Sequence, residues 1–249
     1  FRGWLSSTGK LLWNVHLFAG DVDARFGRAV SVHGHMWAVL AGNKIHMLDG
    51  KGDLLWQIDL NSALIFEGLG GKDIDTYFVP SQLVMDPHAS SKATSLVAVG
   101  CMVSSASIAD EKKKLLCLQP AVLTVDMVTG KIEDLSKLPS FKDKVVASEV
   151  RGIVEANDAA AHSSSSFIFA SNADSKSIEY VSLSKSFASS TPLSMEFIGK
   201  IITPILITGS KGEIVPAFSA CDGNDRQACD SAFIDVASDG KITLKSLSQ

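Results

Sequence analysis

The sequence lacks any apolar run that is long enough to span a membrane. A membrane-spanning helix needs about 18 or more apolar residues. The longest apolar segments here, Met36–Ala41 and Ile201–Ile207, are only as long as strands, and Pro204 interrupts the second. We therefore expect no membrane span. The chain of 249 residues also lacks an initiator methionine and a signal peptide, and we interpret it as a piece of a longer protein.

An excess of positive charge is also missing. Lysine and arginine number 23 against 27 aspartates and glutamates, which gives a net charge of −4. Overall charge therefore does not favour nucleic-acid binding, which relies on a basic surface. Hydrophobic residues make up 46% of the chain, which excludes general disorder. The length suits one large domain or two small ones.

Motifs of common enzymes are absent. The sequence contains neither G-x-S-x-G nor H-E-x-x-H, the motifs of α/β-hydrolases and zinc proteases. The glycine-rich segment Gly68–Gly71 does not match G-x-G-x-x-G, and we interpret it as a turn. We predict no catalytic residues, no cofactor and no enzymatic activity.

Metal-binding candidates are weak. His33 and His35 would share one face of a strand and could bind a metal, but no cysteine or carboxylate stands at the spacing of a known site. We therefore favour the interpretation that both are ordinary histidines of a turn. Cys221–Asp225 lacks the spacing of an EF-hand loop and is interpreted as a polar hairpin loop. The charge run Glu111–Lys114 is typical of a solvated loop, with a local docking point as the alternative.

Cysteines are few, and their pairing stays open. Four cysteines allow three pairings if all are oxidised. Cys221 and Cys229 lie close together in a Gly/Asp/Asn-rich loop, and Cys101 and Cys117 flank another polar loop. This arrangement permits disulfides without demonstrating them.

A repeat is the main positive signal. Gly9 is followed four residues later by Trp13, and Gly52 is followed at the same distance by Trp56. The two glycines are 43 residues apart, which is the period of β-propeller blades. A glycine supplies the positive φ of a tight turn. We expect the tryptophans to pack between neighbouring blades, the alternative being that they stack on a quinone or a sugar.

Two further turns resemble the first pair without the tryptophan. They are centred on Gly130 and Gly240, and Asp134 and Leu244 stand four residues after them. The spacings of these glycines, 78 and 110 residues, would need two or more blades or insertions. We assign both glycines to the structural repeat.

The segment Arg28–Leu60 has the pattern of one complete blade, since four strands in a meander form a propeller blade. Turn glycines separate apolar stretches, and Gly42-Asn43 is a good hairpin dipeptide. The predicted strands are Arg28–His33, Met36–Ala41, Lys44–Asp49 and Asp53–Leu60.

Further blades are predicted downstream from shorter apolar stretches. The predicted strands are Ser95–Val103 and Ala121–Met127 in a third blade, Phe167–Ser171, Ile178–Leu183 and Met195–Ile198 in a fourth, and Ile201–Thr208, Glu213–Ala220, Ser231–Ala237 and Lys241–Leu247 in a fifth. Val145–Glu155 suits a helix or a strand, and its β-branched residues favour the strand. Ser163–Ser166 and Ser184–Ser190 are predicted surface loops.

These patterns predict an all-β protein. We expect residues 1–249 to form a single β-propeller region of about four to five blades, as an incomplete ring or fragment. Phe1–Leu5 and Lys10–Leu17 have the pattern of the last two strands of a blade. Four to five blades are few for a closed ring at this period.

The glycine–tryptophan turns resemble the PQQ-like, or quinoprotein, propeller repeat. Within that superfamily, the opening Arg2–Trp13 is similar to the amino-terminal propeller of subunit 1 of the ER membrane protein complex. The turns at Gly52–Trp56 and Asp126–Ile132 and the cysteine-bearing loop from Cys221 to Cys229 are weaker similarities. The specific match covers about the first sixty residues.

This resemblance implies a non-catalytic scaffold in the lumen of the endoplasmic reticulum. The complex inserts and stabilises transmembrane segments of client membrane proteins, so the implied partners are its other subunits and those clients. An oxidising lumen implies a disulfide between Cys221 and Cys229. The alternatives are a PQQ-like propeller enzyme and a generic propeller binding module. Quinoprotein catalysis would need a disulfide between adjacent cysteines, and no two cysteines are adjacent here.

Overall fold

The computed structural model describes most of the chain, and the described part consists mainly of strands and the turns between them. The described residues are 2–5, 10–14, 28–32, 36–61, 76–85, 95–105, 115–147, 150–158, 163–172, 176–183, 187–194, 197–198, 200–208, 214–222, 225–237 and 241–246. In these ranges no helix combines the length and the apolar character that crossing a membrane requires.

The described strands form five antiparallel sheets in chain order, and none closes into a barrel. Sheet A has two strands, and sheets B to E have four each. Sheet A contains β1 (Arg2–Leu5) and β2 (Lys10–Asn14). Sheet B contains β3 (Arg28–Val32), β4 (Met36–Ala41), β5 (Lys44–Leu48) and β6 (Leu54–Asp59). Sheet C contains β7 (Thr76–Met85), β8 (Ser95–Ser104), β9 (Gln119–Asp126) and β10 (Ile132–Lys137).

The remaining two sheets repeat the same meander. Sheet D contains β11 (Val150–Asp158), β12 (Ser163–Ser171), β13 (Ser177–Ser182) and β14 (Ala188–Pro192). Sheet E contains β15 (Ile201–Thr208), β16 (Ile214–Asp222), β17 (Asp225–Val236) and β18 (Ile242–Ser246). Within each sheet, each strand pairs with the next strand in the chain, and every pairing is antiparallel.

Neighbouring sheets pack face to face, and three apolar clusters fill the spaces between them. Strand β8 shows how, because successive side chains of a strand point to opposite faces. Leu96 and Ala98 belong to the cluster between sheets B and C, whereas Val97 and Val99 belong to the cluster between sheets C and D. In β12, Phe167 belongs to a third cluster, between sheets D and E. Sheets C and D are therefore covered on both faces.

The first strands of consecutive sheets also approach one another. Strand β3 contacts β7, β7 contacts β11, and β11 contacts β15. Because each of these strands lies at one edge of its sheet, sheets B to E converge along that edge.

The strands of sheet B agree closely with those predicted from the sequence. Gly42, with φ of 60°, and Asn43 form the two-residue turn between β4 and β5, since both favoured two-residue hairpin turns need positive φ at the first central residue. The Asn43 side chain donates a hydrogen bond to Asp59 over 3.1 Å and ties the turn to β6. The predicted four-strand pattern of Arg28–Leu60 is confirmed.

Strand β7 was not predicted. It contains Pro80 and lies at the edge of sheet C, which is where a strand tolerates proline. The structure accommodates it with a register shift between Pro80 and Gln82. Ser81 lies in the shift and donates its hydroxyl to the Val99 carbonyl over 3.1 Å. Gly100 lies opposite Pro80, and a Cβ at Gly100 would stand 2.8 Å from the Pro80 Cα.

Three predictions in or directly after sheet D were wrong or partly wrong, and two of them concern serine-rich segments. Ser163–Ser166 belongs to β12 rather than to a surface loop, and Ser166 is buried. The loop predicted at Ser184–Ser190 overlaps β14 from residue 188 on, and residues 184–186 lie outside the described part. In the predicted strand Met195–Ile198, residues 197 and 198 form a turn. Backbone pairing places serines of both segments in strands, and a prediction based on apolar alternation does not detect such strands.

The other predicted strands match the structure with shifted bounds. The strands predicted at Ser95–Val103, Ala121–Met127, Phe167–Ser171 and Ile178–Leu183 correspond to β8, β9, β12 and β13. Those predicted at Ile201–Thr208, Glu213–Ala220, Ser231–Ala237 and Lys241–Leu247 correspond to β15 to β18. Val145–Glu155 is a strand from Val150 on, and the all-β class is confirmed.

Candidate functional site

The turn between β5 and β6 contains the repeat glycine Gly52, with φ of 88°. The Asp49 carboxylate accepts hydrogen bonds from the backbone N–H of Lys51 over 2.8 Å and of Asp53 over 2.9 Å. The bond from Asp53, together with those from Lys51 and Gly52, lowers the pKa of the Asp49 carboxyl below its ordinary value. The aspartate thus fixes the turn in which glycine supplies the left-handed residue.

The turn between β9 and β10 is built in the same way around Gly130, with φ of 70°. Asp126 accepts from the Thr129 hydroxyl over 2.7 Å, from the Thr129 N–H over 2.6 Å and from the Val128 N–H over 3.1 Å. The Thr129 hydroxyl is the largest cause that lowers the pKa of the Asp126 carboxyl. The Gly130 N–H donates to the Asp126 carbonyl over 2.9 Å.

Trp56 joins these two turns across sheets B and C. Its indole Nε1 donates a hydrogen bond to the Met127 carbonyl over 2.9 Å. A Cβ at Gly130 would stand 2.8 Å from the Trp56 ring, so the ring lies directly against the glycine backbone. The tryptophan of one sheet therefore packs on the turn of the next sheet and satisfies one of its carbonyls.

The other repeat residues give no such contact in the described part of the chain. Gly9 and Gly240 lie outside the described residues, and Trp13 lies in β2, whose side chains are not described. Asp134 in β10 and Leu244 in β18 stand where a tryptophan would follow the turn. Sheet C therefore presents no tryptophan to sheet D at this position.

Sheets C and D are joined by backbone pairing instead. The segment 115–117 lies beside β8, and residues 145–147 lead toward β11. The Cys117 N–H donates to the Val145 carbonyl over 2.8 Å, and the Ala147 N–H donates to the Leu115 carbonyl over 2.7 Å. Cys117 also forms a disulfide with Cys101 in β8, with a Cα–Cα distance of 5.3 Å.

The second disulfide joins Cys221 in β16 to Cys229 in β17, as predicted. The two cysteines are direct partners in the ladder, and their Cα atoms are 4.2 Å apart. The structure thus decides the open choice of pairings, and none of the four cysteines is free. Disulfides persist in oxidising compartments, so both bonds are consistent with a secreted or luminal domain.

A buried carboxylate lies on β13. Glu179 is fully buried, and its Oε1 accepts hydrogen bonds from Ser177 over 2.7 Å and from Ser190 over 2.8 Å. Asn172 donates to the Ser177 hydroxyl over 2.9 Å. The Glu179 Oε2 atom has no hydrogen-bond partner. This polar network connects β13 and β14, and nothing in the sequence pattern pointed to it.

His46 is the second buried titratable side chain. It lies in β5 between Val39 and Gln57 and is 3% exposed. Neither ring nitrogen has a hydrogen-bond partner. Desolvation, followed by the charge of Lys44, lowers the pKa of the His46 imidazole below its ordinary value, because burial disfavours the protonated form.

Several of the segments singled out in the sequence lie outside the described residues. They are the metal candidates His33 and His35, the predicted turn Gly68–Gly71 and the charge run Glu111–Lys114. In the part of the chain that the structure describes, no group of three or more His, Cys, Asp or Glu side chains could hold a metal ion.

Exposed apolar side chains flank the junction that Trp56 makes. Leu54 and Leu55 directly precede Trp56 in β6 and are 50% and 51% exposed, and Val128 directly follows Met127 and is 71% exposed. Trp56 and Met127 are hydrogen-bonded, so these three exposed side chains are sequence neighbours of the residues that form this contact. We call Leu54, Leu55 and Val128 the rim patch.

The sequence identified the glycines and the tryptophan but not the residues that complete the contact. The Met127 side chain belongs to the cluster between sheets B and C, but the hydrogen bond to the indole uses the Met127 carbonyl, which every residue type carries, so the sequence gives no signal for it. The turn itself carries one, since Asp126, Thr129 and Gly130 form a D-x-x-T-G string. In this string the aspartate accepts turn N–H groups and the glycine supplies positive φ.

Comparisons with known proteins identify no family. No family model matches the chain, and no curated protein matches it. Among solved structures, it is similar to a protein of unknown function from Bacteroides caccae, with 11% sequence identity and a TM-score of 0.40. The match covers 96% of this chain and 86% of that one.

Proposed function

We propose that this chain is part of a β-propeller that works as a non-catalytic scaffold. The meander order of sheets B to E and the contacts between their first strands support the propeller. In a propeller, four-stranded sheets surround a central axis with their first strands innermost. The paired strands β1 and β2 lead into β3 as the last two strands of such a sheet would.

The role of the repeat residues supports a scaffold rather than a quinone enzyme. The indole of Trp56 lies against Gly130, and its N–H donates to the Met127 carbonyl. The ring is therefore used to join sheets, which favours the packing interpretation over stacking on a ligand. This contact is the observation that carries the proposal.

The rim patch is the surface that we assign to partner binding. Exposed large apolar side chains can mark interaction sites, and Leu54, Leu55 and Val128 are exposed and neighbour in sequence the residues of the Trp56–Met127 junction. An apolar patch on rigid turns suits a protein partner, because little conformational entropy is lost on binding. We commit to a protein subunit of the same complex as the occupant.

The compartment and the complex follow from the resemblance together with the disulfides. Two disulfides suit a luminal domain, and the opening Arg2–Trp13 is similar to subunit 1 of the ER membrane protein complex. We therefore propose that the domain lies in the lumen of the endoplasmic reticulum. There it would hold other subunits of a complex that inserts transmembrane segments of client membrane proteins.

Affinity purification tests this function. The endogenous protein that contains this chain is tagged, extracted in mild detergent and analysed by mass spectrometry, and the purified material is assayed for quinone-dependent dehydrogenase activity. We expect the other subunits of the ER membrane protein complex and no such activity. Recovery of the protein alone, with dehydrogenase activity that depends on added quinone, would favour the enzyme alternative.

A further inference from the structure

The two disulfides differ in their exposure to solvent. Cys101 is 0% exposed and Cys117 is 7% exposed, and both belong to the apolar cluster between sheets C and D. Cys221 and Cys229 are both partly exposed. A thiol in solution can therefore approach the second disulfide without prior opening of a sheet, whereas the first lies within a core.

The exposed disulfide lies on the face of sheet E that points away from sheet D. Phe218 and Ala220 belong to the cluster between sheets D and E. Because side chains alternate along a strand, Ser219 and Cys221 point to the opposite face. Cys229 directly opposes Cys221 in the ladder and so shares that face. Nucleophilic attack on either sulfur would not disturb the D–E cluster.

A hydroxyl is placed to assist cleavage. The Ser219 Oγ lies 3.4 Å from the Cys221 Sγ. A disulfide sulfur carries no proton, so in the oxidised protein the hydroxyl is the donor. Hydrogen bonds to an ionised group are stronger than those to a neutral one, so this contact strengthens as negative charge develops on the Cys221 sulfur. The contact therefore favours departure of the Cys221 sulfur, because it stabilises the thiolate that leaves.

We propose that Cys221–Cys229 is a thiol–disulfide exchange site for an external dithiol. A thiolate of the dithiol attacks the Cys229 Sγ, the bond between Cys229 and Cys221 breaks, and Cys221 leaves as a thiolate that accepts the Ser219 hydroxyl proton in a hydrogen bond. The second thiol of the reagent then attacks its own sulfur in the mixed disulfide and releases Cys229. The dithiol becomes a disulfide, two electrons pass to the protein, and the two protons of the dithiol end on the two cysteines.

Nearby charges influence which reductant reacts. Asp222 and Asp230 are adjacent in sequence to the two cysteines and are exposed, and Asp230 forms an ion pair with Lys200. Alternation directs the Asp230 carboxylate to the face opposite Cys229, whereas a register shift between Cys221 and Asp222 interrupts the alternation at Asp222. Their negative charge disfavours anionic thiols at short range, so an uncharged dithiol is the suitable probe.

Timed reduction with dithiothreitol tests the site. The oxidised protein is sampled over time, quenched by alkylation and analysed by peptide mapping, so that each disulfide is followed separately. We expect Cys221–Cys229 to be reduced about tenfold or more faster than Cys101–Cys117, because a core disulfide must wait for local opening. Equal rates, or faster reduction of Cys101–Cys117, would overturn the proposal.

A matched pair of variants tests the role of the hydroxyl. Ser219→Ala removes the donor, and Ser231→Ala removes the serine that directly opposes Ser219 in the ladder. We expect Ser219→Ala to slow reduction of Cys221–Cys229 by roughly two- to fivefold and Ser231→Ala to leave the rate unchanged. An unchanged rate in Ser219→Ala, or equal slowing in both variants, would contradict assistance by Ser219.

Discussion

At the scale of single residues, the sequence repeat consists of a few side chains that join one sheet to the next. Asp126 fixes a turn by accepting three hydrogen bonds, Gly130 lets that turn adopt positive φ, and Trp56 fits against the glycine. Each of these residues depends on the other two. A change at one of them should therefore weaken the contact between the sheets rather than only its own turn.

The glycine against the indole gives the first prediction. Gly130→Ala has two costs: the new Cβ would stand 2.8 Å from the Trp56 ring, and alanine would have to adopt the positive φ of Gly130. Gly42→Ala is the control, since Gly42 also has positive φ but no atom lies within 4 Å of the added Cβ. We expect Gly130→Ala to lower the free energy of unfolding by about 1–3 kcal/mol more than Gly42→Ala, the usual cost of overpacking. Equal losses in urea unfolding would show that the indole does not lie against the glycine.

His46 gives a prediction of pH dependence. Burial and Lys44 lower its pKa in the folded state, so below the ordinary value of about 6.5 the unfolded state binds a proton that the folded state does not. The free energy of unfolding should therefore decrease as pH falls from about 6.5 toward the folded pKa. His46→Leu should flatten this part of the profile, as measured by urea unfolding between about pH 8 and about pH 5. An identical slope in wild type and variant would mean that His46 titrates normally.

At the scale of elements, the position of a strand in its meander determines how well it is protected. Strand β8 pairs on both sides, and its two faces supply two apolar clusters. Strand β10 lies at the edge of the same sheet, and most of its side chains are polar and exposed.

Amide hydrogen exchange should reveal this difference. We expect the amides of β8 to exchange at least about tenfold more slowly than those of β10, because opening β8 requires loss of both clusters whereas an edge strand opens alone. Mass spectrometry of peptides that cover each strand measures the rates. Equal protection of the two strands would contradict the assignment of β8 to the centre of a sheet covered on both faces.

The sequence predicts elements well where an apolar alternation ends in a turn glycine, as in β4 and β5 around Gly42. It fails where backbone pairing alone decides. Strand β7 contains Pro80, which needs a register shift and a facing Gly100 that no local pattern reveals. In β12, Ser166 is buried by its neighbours rather than by its own apolarity. Contacts between sheets could not be predicted for the same reason, since a backbone carbonyl such as that of Met127 gives no signal in the sequence.

At the scale of the whole molecule, sheets B to E follow one another with their first strands in contact and their faces packed. This arrangement packs Trp56 against Gly130 between sheets B and C and leaves exposed side chains on outer strands and turns. The rim patch lies on such a turn and such a strand. A scaffold needs this combination of rigid packing within and accessible apolar surface outside.

The most direct test of the proposed scaffold function is whether the partner subunits bind through the rim patch. Leu54→Glu/Leu55→Glu adds charge to the patch, and Leu118→Glu, at a leucine that is also 50% exposed but lies outside the patch, is the control. Subunits that co-purify with the tagged endogenous protein are quantified by mass spectrometry for each variant, with protein levels matched. The account predicts that the amount of at least one co-purified subunit of the ER membrane protein complex falls about tenfold or more in the double variant, whereas Leu118→Glu retains that subunit. The reason is that substitutions at the hot spots of an interface cost about 1–2 kcal/mol of binding free energy or more. Full retention of every subunit by the double variant would contradict the account.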